Sequence, residues 1–253
     1  MKIKITLLGL LLVLFSACKN DQPIVVTTDD YCAAVDTVTG IMVHDIFSPP
    51  VAARVYVYPN IAAYEIIAQN STKYESLQGQ LNGLDSIPTL DKKLGVNQKL
   101  AALIAHMEVS KQLIFSEQAL EQYRDSLYEK WNSENKKEFE VSRDYAMKVV
   151  DRIKIWMSKD NYKQSRTFPK FSVHTDQPGR WQPTPPAYMD GVEPHWGTIR
   201  TLVMDSAEQF KPKAPHPFST DKNSLFYKEA KETYDIGNKM SEKLLAIENA
   251  KSN

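Results

Sequence analysis

The sequence predicts an all-α protein, a helical bundle with a long proline-rich irregular segment near 160–220. Three observations carry that expectation. Apolar side chains recur every three or four residues through 97–157, the signature of amphipathic helices. Ser48-Pro49-Pro50 marks a helix start, followed by an apolar stripe of Val51, Val55, Tyr58, Ala62 and Ile66. Prolines then crowd positions 169, 178, 183, 185, 186, 194, 212, 215 and 217, where no helix can run on.

The chain begins with Lys2 and Lys4, then an apolar run from Ile5 to Phe15, then Ser16-Ala17-Cys18. The run is too short to span a bilayer and has the layout of a secretory signal over 1–17. Small residues directly before a cysteine resemble the lipobox of bacterial lipoproteins, which implies lipidation at Cys18 and a membrane-attached N-terminus. The expected location is the cell envelope, lipid-anchored and facing either the periplasm or the cell surface, with the outer membrane one such site. Residues 18–31 read as a lipidated tether, because they are polar and lack periodicity. A single domain is expected over 32–253. Cys32 is then left without a partner for an internal disulfide and reads as a small buried hydrophobe.

Within that domain the stripe after Ser48 is one helix that Pro59 should kink or split. Residues 78–96 hold Gly79, Gly83, Pro88 and Gly95 and read as a loop. A helix over about Asn97 to Phe115 presents Leu100, Leu103, Ile104 and Met107 on one face. Another spans about Glu117 to Trp131, and a third about Lys136 to Met157. A short helical piece is expected over about Thr198 to Met204 inside the proline-rich segment. The last helix follows Ser219-Thr220-Asp221, with Tyr227, Ala230, Tyr234 and Leu244 on its apolar face.

Composition excludes some classes. Lys plus Arg and Asp plus Glu both number 31, and the charges are interspersed, so no basic footprint for a nucleic acid exists. His44, His106, His174, His195 and His216 show no metal-ligand spacing. His106 and Glu108 are two apart, which on a helix points them in roughly opposite directions. No glycine-rich phosphate loop is present.

The proline-rich segment carries the informative residues. Gly179-Arg-Trp181-Gln-Pro183-Thr-Pro185-Pro186 precedes Glu193-Pro194-His195-Trp196-Gly197. Upstream, Ser48-Pro-Pro-Val-Ala-Ala-Arg54-Val-Tyr56 continues through Asn60 to Tyr64-Glu65. In this order the two blocks resemble the vanadium-dependent haloperoxidase family and its type-2 phosphatidic acid phosphatase-related, acid-phosphatase relatives, over roughly 32–247. The resemblance implies an all-α bundle with an interior site for vanadate, or for phosphate as substrate. Such an oxyanion needs Lys and Arg for charge and bidentate geometry.

The family signature runs Lys-x6-Arg-Pro, Pro-Ser-Gly-His, then Ser-Arg-x5-His. Neither Arg-Pro nor Ser-Gly-His occurs in the chain. Ser165-Arg166 is followed by His174 at the wrong spacing and before the place where the first two blocks belong, so it reads as a chance near-match. No catalytic, cofactor-binding or metal residue is therefore assigned. The family-motif residues are Trp181, Pro183, Pro185, Pro186, His195, Trp196 and Gly197, with Trp196 expected to anchor packing and His195 to be solvated. The expectation is a truncated N-terminal half, inactive alone and without a cofactor of its own, where a complete member would hold vanadate. The alternatives are a non-enzymatic binding or scaffold lipoprotein, or a half-enzyme completed by a second chain. The expected partners follow: the membrane through the lipid, no nucleic acid, and either a C-terminal half-protein or a second copy. The last helix is the expected site of exposed apolar surface.

Overall fold

The computed structural model describes residues 22–251. The signal run, Cys18 and the residues up to 21 lie outside them. The described residues form seven α-helices and two 3-10 turns, with no strand, so the chain is all-α. The helices are α1 (Thr28–His44), α2 (Pro49–Ala68), α3 (Gln98–Lys111), α4 (Glu117–Glu134), α5 (Lys136–Met157), α6 (Tyr162–Ser165) and α7 (Leu225–Lys251). Where the sequence predicts one domain, the chain divides into two compact units. The first runs to Thr167 and takes in His195–Met204, and the second joins Phe168–Pro194 to the residues from Asp205 onward.

The first unit is built around α3. Every residue from Leu100 to Ser110 is buried, where periodicity predicts a single apolar face. Its other faces carry Ala101, Ala102 and Ala105, small enough for close approach of neighbours. It packs on α2 and α5, and also touches α1 and α4. A helix enclosed on all sides leaves its polar groups no water, so each needs a partner. Glu108 has them: Arg124 donates to it at 3.3 Å and the Tyr128 hydroxyl at 3.0 Å. Burial, then the Glu108 charge, pushes the Tyr128 phenol well above its usual range, keeping it a donor.

Two helix starts show how local chemistry sets this core. Asn97 caps α3 by accepting from the Leu100 N–H at 3.1 Å, while its amide donates to the Ile24 carbonyl at 2.8 Å and to Glu138 at 2.9 Å. Glu138 in turn accepts from the Ile24 N–H at 2.9 Å. Thr27 and Asp30 form a reciprocal capping box that starts α1. The tether expected over 18–31 thus gives way earlier: Ile24 and Val26 are buried in the core, and α1 begins at Thr28. The polarity of this stretch hid the helix, because Asp29 and Asp30 favour a helix N-terminus as much as they favour solvent. Cys32 is exposed on α1, not buried.

Pro59 does not split α2, which is one helix from Pro49 to Ala68. Pro59 is itself buried, and packing along that face holds the helix through the missing hydrogen bond. Ser48 occupies the N-cap without a capping bond from its hydroxyl, and Pro49 and Pro50 place no N–H at the first two positions. The next corner is closed by Asp45, which accepts from the N–H groups of Phe115 at 2.9 Å and Ser116 at 3.0 Å where α4 begins.

In the second unit the residues before α7 are irregular, as the prolines predict, and among the described residues no large hydrophobic one is buried. Gly179 has φ +86°, and a Cβ there would sit 2.5 Å from Phe218 Cγ, so a side chain is excluded on both counts. On α7, Leu225, Tyr234, Ile236, Met240 and Leu244 are all exposed. Of the face expected from the sequence, Ala230, Tyr234 and Leu244 are exposed and Tyr227 is half-buried.

His106 gives the helical unit a pH response. It is 2 % exposed, its Nδ1 has no hydrogen-bond partner, and its ring lies edge-on to Tyr31 with centroids 5.1 Å apart. Burial pushes the imidazole from 6.5 down to about 4. Between those values the unfolded chain binds the proton and the folded chain does not, so stability falls as pH drops from 6.5 towards 4. The loss amounts to about 3 kcal/mol once pH is below both values. Urea titrations of His106→Phe between pH 7 and pH 4 should show a shallower decline than wild type. Parallel declines would show that His106 titrates in the fold as it does in water.

Candidate functional site

The family-motif residues separate into two groups. His195, Trp196 and Gly197 belong to the first unit, whereas Trp181, Pro183, Pro185 and Pro186 belong to the second.

In the first group, Trp196–Thr198 forms a 3-10 turn. The expected helix over Thr198–Met204 is absent, and the residues after the turn are irregular. Their backbone groups are claimed by the helical bundle instead of by each other. Arg200 N–H donates to the Asp160 carbonyl at 2.9 Å, and Asn161 donates to the Thr198 carbonyl at 3.1 Å. Asn82 reaches the carbonyls of Thr201 at 3.1 Å and Met204 at 2.7 Å, and its own N–H donates to Leu202 O at 2.8 Å. Trp196 packs edge-on against Tyr162, with ring centroids 6.3 Å apart, as an anchoring Trp should. His195 is half-buried where solvation is expected, and its carbonyl accepts from both the N–H and the hydroxyl of Thr198, at 2.9 and 2.8 Å.

Beneath this strap lies a buried charge network that no local motif announces. Asp160 is 1 % exposed and accepts from Arg54 Nε at 2.7 Å, the Tyr58 hydroxyl at 2.9 Å and the Tyr162 N–H at 2.9 Å. Burial, followed by the Asp160 charge, pushes the Tyr58 phenol far above its usual value. Tyr58 therefore stays protonated, donating to Asp160 while accepting from Arg200 Nη2 at 2.9 Å. Arg200 also donates to the Trp156 carbonyl at 2.8 Å and lies over the Trp156 ring at 4.4 Å. Arg54 and Arg166 lie 4.3 and 4.6 Å from the centroid of the Tyr162 ring.

The loop before α3 is tied to the same end of α5. Trp156 Nε1 donates to the Asn82 carbonyl at 2.9 Å, and Arg152 Nε donates to Ser86 O at 2.7 Å. Glu65, fully buried in α2, accepts from the Ser76 hydroxyl and the Leu77 N–H, both at 2.6 Å.

The arginines do not make an oxyanion cradle. Arg54 is spent on Asp160, and Arg200 on Trp156 and Tyr58. Arg200 Nε is buried with no hydrogen-bond partner. The donors point into the bundle, so this cluster does not fit vanadate or phosphate. Among the described residues no group of three or more His, Cys, Asp or Glu is placed to hold a metal. Ser165 of the near-match motif donates to the Tyr162 carbonyl at 2.7 Å, and His174 belongs to the other unit.

In the second group, Trp181, Pro185 and Pro186 line a cleft of about 630 Å³ with Phe171, Met189 and Val192. Phe171 meets Trp181 edge-on at 5.6 Å, and the Pro185–Pro186 peptide is cis. Pro183 is half-buried and does not line the cleft.

The fold and the anchored strap define a class, an all-helical bundle carrying a proline-rich segment. Neither the protein-family profiles nor the curated proteins give a match to the chain. Among solved structures, the chain is similar to a protein described as the first bacterial vanadium-dependent iodoperoxidase. The two are 56 % identical with a TM-score of 0.85, over 88 % of this chain and 54 % of that one. The chain belongs to the vanadium haloperoxidase-related family, and it spans about half the length of that solved relative.

The Asp160 network has a direct test. Asp160→Ala removes the partner of a buried arginine and should cost roughly 3–5 kcal/mol in urea unfolding. A loss below about 1 kcal/mol would mean that Arg54 finds water.

Proposed function

We propose that this chain is the helical N-terminal portion of a vanadium-dependent haloperoxidase-like protein, exported and lipid-anchored at Cys18, and that it acts as scaffold without an oxyanion site of its own. The observation that carries the reading is the identity of 56 % over 88 % of the chain, against coverage of about half of the relative. The missing signature blocks and the inward-facing arginines support it. Vanadate chemistry, with iodide as the halide the relative's description suggests, belongs in this reading to a complete assembly. Lipidation rests on the signal-like run before Cys18. No described helix is long and apolar enough to cross a membrane.

One observation favours a second reading, a half-enzyme completed by another chain. Leu225, Tyr234, Ile236, Met240 and Leu244 of α7 are exposed, and surface of that kind associates. A C-terminal half-protein is the expected partner, with a second copy as the rival.

Purified chain mixed with vanadate, peroxide and iodide should form no triiodide above the vanadate-only rate. Turnover by the chain alone would defeat the scaffold reading, and turnover only after adding a C-terminal half would establish the second. Separately, metabolic labelling with a clickable palmitate should mark the wild type and not Cys18→Ser. Equal labelling of both would remove the anchor from the proposal.

A further inference from the structure

The helical unit holds a groove of about 490 Å³ between the segment leading into α1, α1 itself, α2 and α3. Val26, Ala63, Ile67 and Ala102 form an apolar lining. Val26, Ala63 and Ala102 are buried members of the core, so the lining is held rigidly from behind. Its volume lies in the range of small-molecule sites, which are largely apolar with a few placed polar groups.

The polar groups around the groove are mostly spent. The Tyr31 hydroxyl donates to Asn60 Oδ1 at 2.8 Å, and the Tyr64 hydroxyl donates to the Glu75 carbonyl at 2.8 Å. Burial pushes the Tyr31 phenol well above its usual range, so it carries no charge into the groove. Lys99 is the cation of the lining. It lines the groove, is exposed and has no ion-pair partner among the described residues. Lys99 and Ala102 lie three apart on α3, and His106 follows four residues later, so the three share one helix face. That face therefore passes from an ammonium, through a small apolar step, to a buried neutral imidazole packed on Tyr31.

An apolar trough with one cation among its lining residues selects a definite chemistry. It has no acidic cluster for a divalent cation, and a polyanion such as a nucleotide would need more than one cation. An alkyl body with one anionic head matches it. We propose that this groove binds a single-chain anionic amphiphile, with its alkyl part on Val26, Ala63, Ile67 and Ala102 and its head at Lys99. Val26 lies eight residues after Cys18, and such a span reaches at most about 28 Å. A lipid at Cys18 would thus hold the groove close to a bilayer, where these amphiphiles concentrate. That proximity rests on the lipidation proposed above, but the groove's chemistry does not.

The head can be a fatty-acid carboxylate or a lysophospholipid phosphate, and the test separates them. The probe is dansylaminoundecanoate on the purified full chain, competed by laurate, lysophosphatidylglycerol or dodecanol. Saturable binding is expected, displaced by an anionic competitor and at least ten-fold less effectively by dodecanol. Displacement by laurate alone, by lysophosphatidylglycerol alone or by both supports the proposal and identifies the source. Lys99→Gln should weaken the anionic competitor about ten-fold and leave dodecanol unchanged. Ile67→Glu, at a half-buried position, should abolish probe binding while its thermal transition and helical circular dichroism stay cooperative. Non-saturable uptake of the probe, or equal competition by dodecanol and laurate, would overturn the proposal whatever becomes of the haloperoxidase reading. The same holds if Lys99→Gln keeps its full affinity for the anionic competitor.

Discussion

The complete burial of α3 is the constraint on which the helical unit rests. A helix enclosed on every side must be met by neighbours on every side, and α1, α2, α4 and α5 supply them. It must also be short of polar groups or pair those it has. Glu108 is paired with Arg124 and Tyr128, whereas Ser110 Oγ and His106 Nδ1 are buried without partners. Each unpartnered atom subtracts from stability, by about 1–3 kcal/mol for a neutral group. The alanines that let helices approach closely offset this by letting large neighbours such as Leu100, Leu103 and Trp156 fill the remaining space.

The second constraint is the charge network around Asp160. A lone buried carboxylate would be costly, but three donors converge on it, and one of them, Tyr58, links it to Arg200. Through Arg200 and Asn82 the network fastens an otherwise irregular segment to the end of α5. His195, Trp196 and Gly197 are held in place this way, by the bundle's side chains and not by regular structure of their own. The same commitments make the arginines unfit as an anion site. Arg54 Nε is held by Asp160 and both terminal nitrogens of Arg200 by Trp156 and Tyr58, inside the packing.

The second unit stands in contrast. It has a long helix and many aromatic and aliphatic side chains, yet among the described residues no large one of them is buried. Apolar area left in water contributes nothing to stability, so this unit lacks the driving force that holds the first together. A solved relative in the family extends beyond the part that this chain covers, 54 % of its length. Gly179 shows that the unit is nonetheless locally specified, since only glycine suits both its backbone angle and its closeness to Phe218.

Much was legible in the sequence because it depended on local periodicity or on the chemistry of single residues. The amphipathic runs of α4 and α5, the start of α2 at Ser48-Pro49-Pro50, the proline-bound irregular segment and the family blocks around Trp181 and Trp196 all belong here. So does the exposure of Tyr234 and Leu244 on the last helix. What only the tertiary structure decided were matters of long-range partnership. Burial of α3 on all faces, continuity of α2 through Pro59 and the early start of α1 depend on neighbours that no window of sequence contains. Asp160 and Arg54, 106 residues apart, became one ion pair only when the bundle closed. A residue's spacing reports which way it faces, but its partner is chosen by packing, and packing is a property of the whole chain.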